Sequence, residues 1–134
     1  MIEKISHIGI AVRSIDEARP LYQALGLEIE SIEEVAHEGV RVAMIPVGES
    51  HIELLEPLDD SSPIAGFLAK RGPGIHHLCL ESGDVVADDK RLRDAGLRLL
   101  RDQPTAGAGG SRVQFIHPKS AGGVLLELAE HAAE

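Results

Sequence analysis

Ile5-Ser6-His7-Ile8-Gly9-Ile10 returns seventy residues later as Ile75-His76-His77-Leu78-Cys79-Leu80. Each is a short strand-like run with a histidine at its third position. The segments after these runs match as well. Ser14-Ile15-Asp16-Glu17-Ala18-Arg19-Pro20-Leu21-Tyr22 leads to Gly26, and Asp84-Val85-Val86-Ala87-Asp88-Asp89-Lys90-Arg91-Leu92 leads to Gly96, again seventy residues on. Ser14 and Asp84 suit helix N-caps, and the two glycines suit the left-handed residue that ends a helix. Pro20 departs from the pattern and is predicted to kink or restart its helix.

Further strands extend the match. Val40 to Val47 answers Arg112 to His117, and His51-Ile52-Glu53-Leu54-Leu55 answers Leu125-Leu126-Glu127-Leu128-Ala129. Glu53 and Glu127 are seventy-four residues apart, so the second copy has gained four, which the glycine-rich loops 106–110 and 119–123 can absorb. Lys70-Arg71-Gly72-Pro73-Gly74 is a plain breaker cluster between the copies. Neither half could bury its sheet face alone, so the halves should pack as one unit. The expected fold is α+β: a single domain over 1–134, built of two tandem βαβββ modules at about 3–66 and 73–130, curved around a metal-binding cleft.

Alternation along a strand assigns the chemistry. Ile8, Ile10 and Val12 share one face, predicted to pack on helices, with His7, Gly9 and Ala11 opposite; Leu78 and Leu80 share a face, with His77 and Cys79 opposite. Glu53 and Glu127 each sit in an apolar frame, where a carboxylate is costly to desolvate unless paired or metal-bound. A lone strand histidine is more often a satisfied core residue, and a lone glutamate is usually solvated. Recurrence of both at matching positions favours convergence of His7, Glu53, His77 and Glu127 on one divalent ion such as Co, Mn, Ni, Zn or Mg. His76 should point away from His77 and be structural. His37, His51 and His131 have no counterparts and read as surface or rim residues.

Composition removes several function classes. The apolar fraction is 43% and the aromatic fraction 2%, so the core is aliphatic and a base-stacking surface is not expected. With 22 acidic against 13 basic residues and a net charge of −9, the chain lacks the basic surface that nucleic acid requires. A small anionic ligand remains compatible, because a few local cations outweigh the global field at short range. The single cysteine, Cys79, permits no internal disulfide and reads as a small buried residue. No apolar stretch approaches the roughly 20 residues that span a bilayer. Met1-Ile2-Glu3-Lys4 is not a secretory leader, so a cytoplasmic protein without membrane contact is expected.

The duplicated βαβββ order with His…Glu…His…Glu resembles the vicinal oxygen chelate (glyoxalase-like) superfamily. His7-Ile8-Gly9-Ile10-Ala11-Val12, Ile52-Glu53-Leu54-Leu55-Glu56-Pro57, Gly74-Ile75-His76-His77-Leu78, Ser62-Pro63-Ile64-Ala65-Gly66-Phe67-Leu68 and His117-Pro118-Lys119-Ser120 leading to Gly123-Val124-Leu125-Leu126-Glu127-Leu128 narrow the resemblance to its methylmalonyl-CoA epimerase family. The resemblance implies an isomerase that interconverts the R and S forms of methylmalonyl-CoA, with metal ligands at His7, Glu53, His77 and Glu127. Such a reaction removes the α-proton on one face and returns it on the other, which two carboxylates can serve. Some members carry a glutamate three residues after the glycine of the Glu-Gly-Val stretch; here Val42 stands there. Glu127 is then one base, with Glu53 the symmetry-related second and Glu38 a weaker candidate. Lys119 and Ser120 either meet the thioester or substrate carboxylate, or form an ordinary turn. An acyl-CoA substrate and a homodimer are expected. Two other readings share these residues: a glyoxalase-type lyase of the same superfamily, and a non-enzymatic protein that sequesters a small molecule in a metal-free cleft.

Overall fold

A computed structural model describes residues 1–131. The chain runs β1 (Ile2–Ala11), α1 (Ile15–Ala24), β2 (Ser31–Val35), β3 (Val40–Val47), β4 (Ser50–Pro57), α2 (Pro63–Arg71), β5 (Gly74–Ser82), α3 (Val85–Asp94), β6 (Thr105–Ala106), β7 (Arg112–Ile116) and β8 (Leu126–Glu130). This is βαβββ twice, as the repeat predicts, and α2 lies between the copies.

Two compact units are distinguished, His7–His76 and a second one made of Met1–Ser6 with the chain from His77 onward. In the first, the strand order is β2-β3-β4-β1. β1 and β4 are parallel, with His7 opposite His51 and Gly9 opposite Glu53, and β3 runs antiparallel to β2 and β4. In the second, the order β5-β8-β7-β6 repeats the plan: β5 and β8 are parallel, and β7 runs antiparallel to β8 and β6.

The helix boundaries match the caps. Ser14 Oγ accepts the Glu17 N–H, and Asp84 Oδ1 accepts the Ala87 N–H at 3.1 Å. Gly26 and Gly96 have φ of 80° and 86°, the left-handed region a side chain resists. Pro20 lies inside a continuous α1, so it does not restart the helix. Asp16, whose carbonyl has no helical donor at Pro20, is an exposed residue. α2 lies outside the predicted elements, yet it has its own signals. Ser62 Oγ accepts the Ile64 N–H at 3.1 Å, Pro63 opens the helix, and Gly72 closes it.

The first unit's core gathers Val12, Ile15, Tyr22, Ala43, Ile45 and Leu54, with Ile10 and Ile52 packed against it. Burial holds the Tyr22 hydroxyl pKa above its ordinary value. Ile8 leaves the expected pattern and is 37% exposed. A ten-residue helix spans about 15 Å against about 33 Å for a ten-residue strand, so α1 is too short to cover all of β1. The second unit's core contains Cys79, Val113, Phe115 and Ala129; the cysteine is fully buried, as expected.

Candidate functional site

β1 and β4 place the first pair. His7 Nδ1 lies 3.1 Å from Glu53 Oε2, and both side chains are buried. The register explains the fit. Gly9 is the cross-strand partner of Glu53, so the neighbouring position carries no side chain to crowd the carboxylate. Met44 on β3 is its partner on the other side.

β5 and β8 repeat this in the second unit. His77 Nε2 lies 3.0 Å from Glu127 Oε1, again with both residues buried. Cys79 partners Glu127 as Gly9 partners Glu53, and Phe115 partners it as Met44 partners Glu53. The Phe115 ring meets the His77 ring edge-on, with centroids 6.1 Å apart.

Each unit therefore buries one imidazole beside one carboxylate. Burying a carboxylate is expensive unless a cation or hydrogen-bond donors compensate it. An imidazole nitrogen and a carboxylate oxygen about 3 Å apart match the donor set that first-row divalent ions take. The residues present thus fit a metal.

The remaining candidates lie elsewhere on the two units. Glu38 is in a 3-10 turn between β2 and β3, its carboxylate 3.8 Å from His37. Val42 is buried in β3, two residues from Met44 and so on the Glu53 face, making that wall apolar. His76 packs edge-on against Phe67 with centroids 5.1 Å apart, a structural role. His51 is half-buried, and His131 contacts Ser6 Oγ at 3.2 Å. Lys119 and Ser120 lie in the 3-10 turn Pro118–Ser120, where Lys119 is exposed and Ser120 Oγ accepts the Arg98 N–H at 3.0 Å. An open cleft of about 420 Å³ in the first unit, lined by Arg19, Tyr22, Gln23 and Glu28 among others, includes neither His7 nor Glu53.

Sequence reasoning assigned no role to Glu56, Glu130 or Phe115. Glu56 Oε1 accepts the Ile15 N–H at 2.8 Å, and Glu130 Oε1 accepts the Val85 N–H at 2.8 Å. Each lies three residues after a pair glutamate and ties its strand to the start of its unit's helix. The common spacing was a signal; the distant N–H partners were not visible.

Residues 6–115 match the Glyoxalase/Bleomycin resistance protein/Dioxygenase superfamily. The chain is 42% identical to an ethylmalonyl-CoA/methylmalonyl-CoA epimerase of Cereibacter sphaeroides, over 97% of this chain and 99% of that protein. The chain belongs to the methylmalonyl-CoA epimerase family. A solved methylmalonyl-CoA epimerase from Mycobacterium tuberculosis superposes with a TM-score of 0.95 at 43% identity, covering 98% of this chain and 90% of that one. Another family member, solved in complex with methylmalonyl-CoA and ammonium, gives a TM-score of 0.95 at 41% identity over 99% and 97% of the two chains. The vicinal oxygen chelate fold of the family is thus the fold of this chain. Among the described residues no helix is long and apolar enough to cross a membrane.

Proposed function

We propose that the protein interconverts (R)- and (S)-methylmalonyl-CoA. The observation that carries this reading is the duplicated buried His–Glu pair, 3.1 Å in one unit and 3.0 Å in the other. The family relationship supports the substrate, since the Cereibacter and Mycobacterium relatives are epimerases of this acyl-CoA.

One divalent ion (Co, Mn, Ni, Zn or Mg) would be held by His7, Glu53, His77 and Glu127. Bound there, it supplies Lewis acidity at the thioester carbonyl, worth several kcal/mol to the developing charge. The protein's own residues move the proton. The Glu127 carboxylate takes the α-proton, and the C–H bonding pair passes to the thioester as an enolate. A proton returned from the carboxyl form of Glu53 to the opposite face gives the other epimer. The two glutamates therefore begin a turnover in opposite protonation states and end it with them exchanged, and solvent protons restore the starting states before the same epimer reacts again. The apolar wall that includes Val42 carries no carboxylate that could replace Glu53. Lys119 and Ser120 contact the acyl-CoA substrate. The protein acts in the cytoplasm as a homodimer; exposed aliphatic side chains at Ile8 and Ile75 in one unit, and at Ile2 and Ile5 in the other, support self-association.

The test is loss of the α-proton of methylmalonyl-CoA to deuterated solvent, with and without a chelator. Exchange that stops with chelation and resumes with added metal is expected. Turnover of a methylglyoxal–glutathione adduct, with none of methylmalonyl-CoA, would instead establish the glyoxalase-type lyase. Protein that binds no stoichiometric metal and exchanges no proton would be a sequestering protein.

A further inference from the structure

β7 leaves the sheet at Ile116, opposite Leu126 and next to the Phe115–Glu127 pairing. The turn after it gathers basic side chains. His117 N–H donates to the Arg98 carbonyl at 2.8 Å, Ser120 Oγ accepts the Arg98 N–H at 3.0 Å, and His117 Nδ1 accepts the Lys119 N–H at 3.0 Å. These bonds bring Arg98, His117 and Lys119 together along the backbone, with the Arg98 and Lys119 charges close enough to act on the His117 ring. The Arg98 and Lys119 side chains are both exposed. In a chain with 22 acidic and 13 basic residues, such a knot at the edge of the Glu127 strand calls for an anionic ligand.

We infer that Arg98, His117 and Lys119 form a phosphate-binding subsite that holds the phosphate-bearing end of the coenzyme A moiety. Ser120 serves it as a positioning residue through its bond to the Arg98 N–H. His117 is suited to this in its neutral form. With Nδ1 accepting from Lys119, the proton sits on Nε2, which can donate. Desolvation, then the charges of Arg98 and Lys119, hold the His117 pKa below its ordinary value, as a local positive potential must. A bound phosphate would reverse that potential. The inference rests on the acyl-CoA reading and assigns one end of that substrate.

The test measures binding rather than turnover. Affinities of the metal-loaded protein for coenzyme A, dephospho-coenzyme A and pantetheine would be compared by calorimetry, for the unchanged chain, Arg98→Glu and Lys119→Ala. Coenzyme A carries no malonyl carboxylate, so any effect on it belongs to the phosphates. The expected result is a fall of about tenfold or more in the ratio of coenzyme A to pantetheine affinity in both variants, with dephospho-coenzyme A reporting whether the 3′-phosphate or the pyrophosphate is held. Salt should weaken the unchanged protein's binding more than the variants'. The His117 ring resonances should also titrate at higher pH once coenzyme A is bound. An unchanged affinity ratio in Arg98→Glu, with its thermal melt intact, would overturn the inference even if methylmalonyl-CoA is epimerised. A chain that fails to epimerise but binds coenzyme A through Arg98 would overturn the function and leave the subsite standing.

Discussion

The carboxylate of Glu130 accepts the backbone N–H of Val85 at 2.8 Å, spanning forty-five residues of sequence to fasten the last strand to the first residue of α3. Glu56 does the same for Ile15 in the other unit, where it also accepts from Arg41 Nη1 at 3.0 Å. A carboxylate on a helix's first N–H satisfies a donor that has no helical partner and complements the helix dipole. Glu56→Ala and Glu130→Ala should therefore each lose about 1.5–3 kcal/mol of stability, the range for hydrogen bonds to charged groups. Urea titration checks this, and equal stability in either variant would show that water replaces the carboxylate without cost.

Replacing His7 or His77 by Ala should abolish stoichiometric binding of a divalent ion while the circular dichroism spectrum stays that of the folded chain. Each imidazole is half of a buried pair, and the remaining donors bind one ion far more weakly. Metal content after dialysis is the measurement. Full occupancy in the His7→Ala, His77→Ala double variant would show that other residues hold the ion.

Much of this site is legible in the sequence. His7 and His77 at one position of two matching runs, and Glu53 and Glu127 inside apolar frames, need only strand alternation to be assigned to the faces where they pair. Ser14, Gly26, Asp84 and Gly96 mark helix ends because capping is chemistry local to a few residues. Where local chemistry stops, legibility stops. β6 is two residues long and exists only because Thr105 and Ala106 meet Val113 and Arg112. Exposure of Ile8 depends on how far α1 reaches, and the edge contact of Phe115 on His77 depends on two strands that are not adjacent in sequence. α2 carries a serine cap, a first-turn proline and a terminal glycine, yet its nine residues are too few to display helical periodicity clearly.

Glu127→Gln keeps the side chain's size and one ligand oxygen but removes the base. Activity should fall by about 10²–10⁴-fold and stay low when metal is saturating. If Glu127 only binds metal, excess metal should restore the rate. Near-normal epimerisation by the metal-loaded variant would move the proton transfer to Glu53 or Glu38. Exchange lost from only one substrate stereoisomer would show two bases serving two faces.

Asp89 gives the fold a pH dependence of known sign. Burial pushes its carboxyl upward, but hydrogen bonds from Arg93 and Gln114, with the charge of Arg93, outweigh that and hold its pKa below the ordinary 3.8. The unfolded chain therefore takes up the proton first. The stability Asp89 contributes is complete above the unfolded value and disappears as the pH falls through the lower folded one. Asp89→Ala also deprives the fully buried Gln114 of an acceptor, since Gln114 Nε2 donates to Asp89 Oδ2 at 2.8 Å. The variant should be less stable than the unchanged chain by about 1–3 kcal/mol at neutral pH. That gap should narrow in acid; a gap constant from pH 7 to pH 2 would mean that the Asp89 charge plays no part.

β1 passes from one compact unit to the other after Ser6, and β5 passes back after His76. As the chain leaves the ribosome, Met1–Ser6 emerge before His7–His76, yet the remainder of their unit is made only after His76. Until then the opening residues, Ile2 and Ile5 among them, must wait through the synthesis of seventy others. At about 5–20 residues per second that wait lasts several seconds. The nascent chain therefore holds Met1–Ser6 apart from the rest of their unit for longer than most small domains fold, and the safety of that segment during synthesis depends on whatever shields it until His77 and the residues after it arrive.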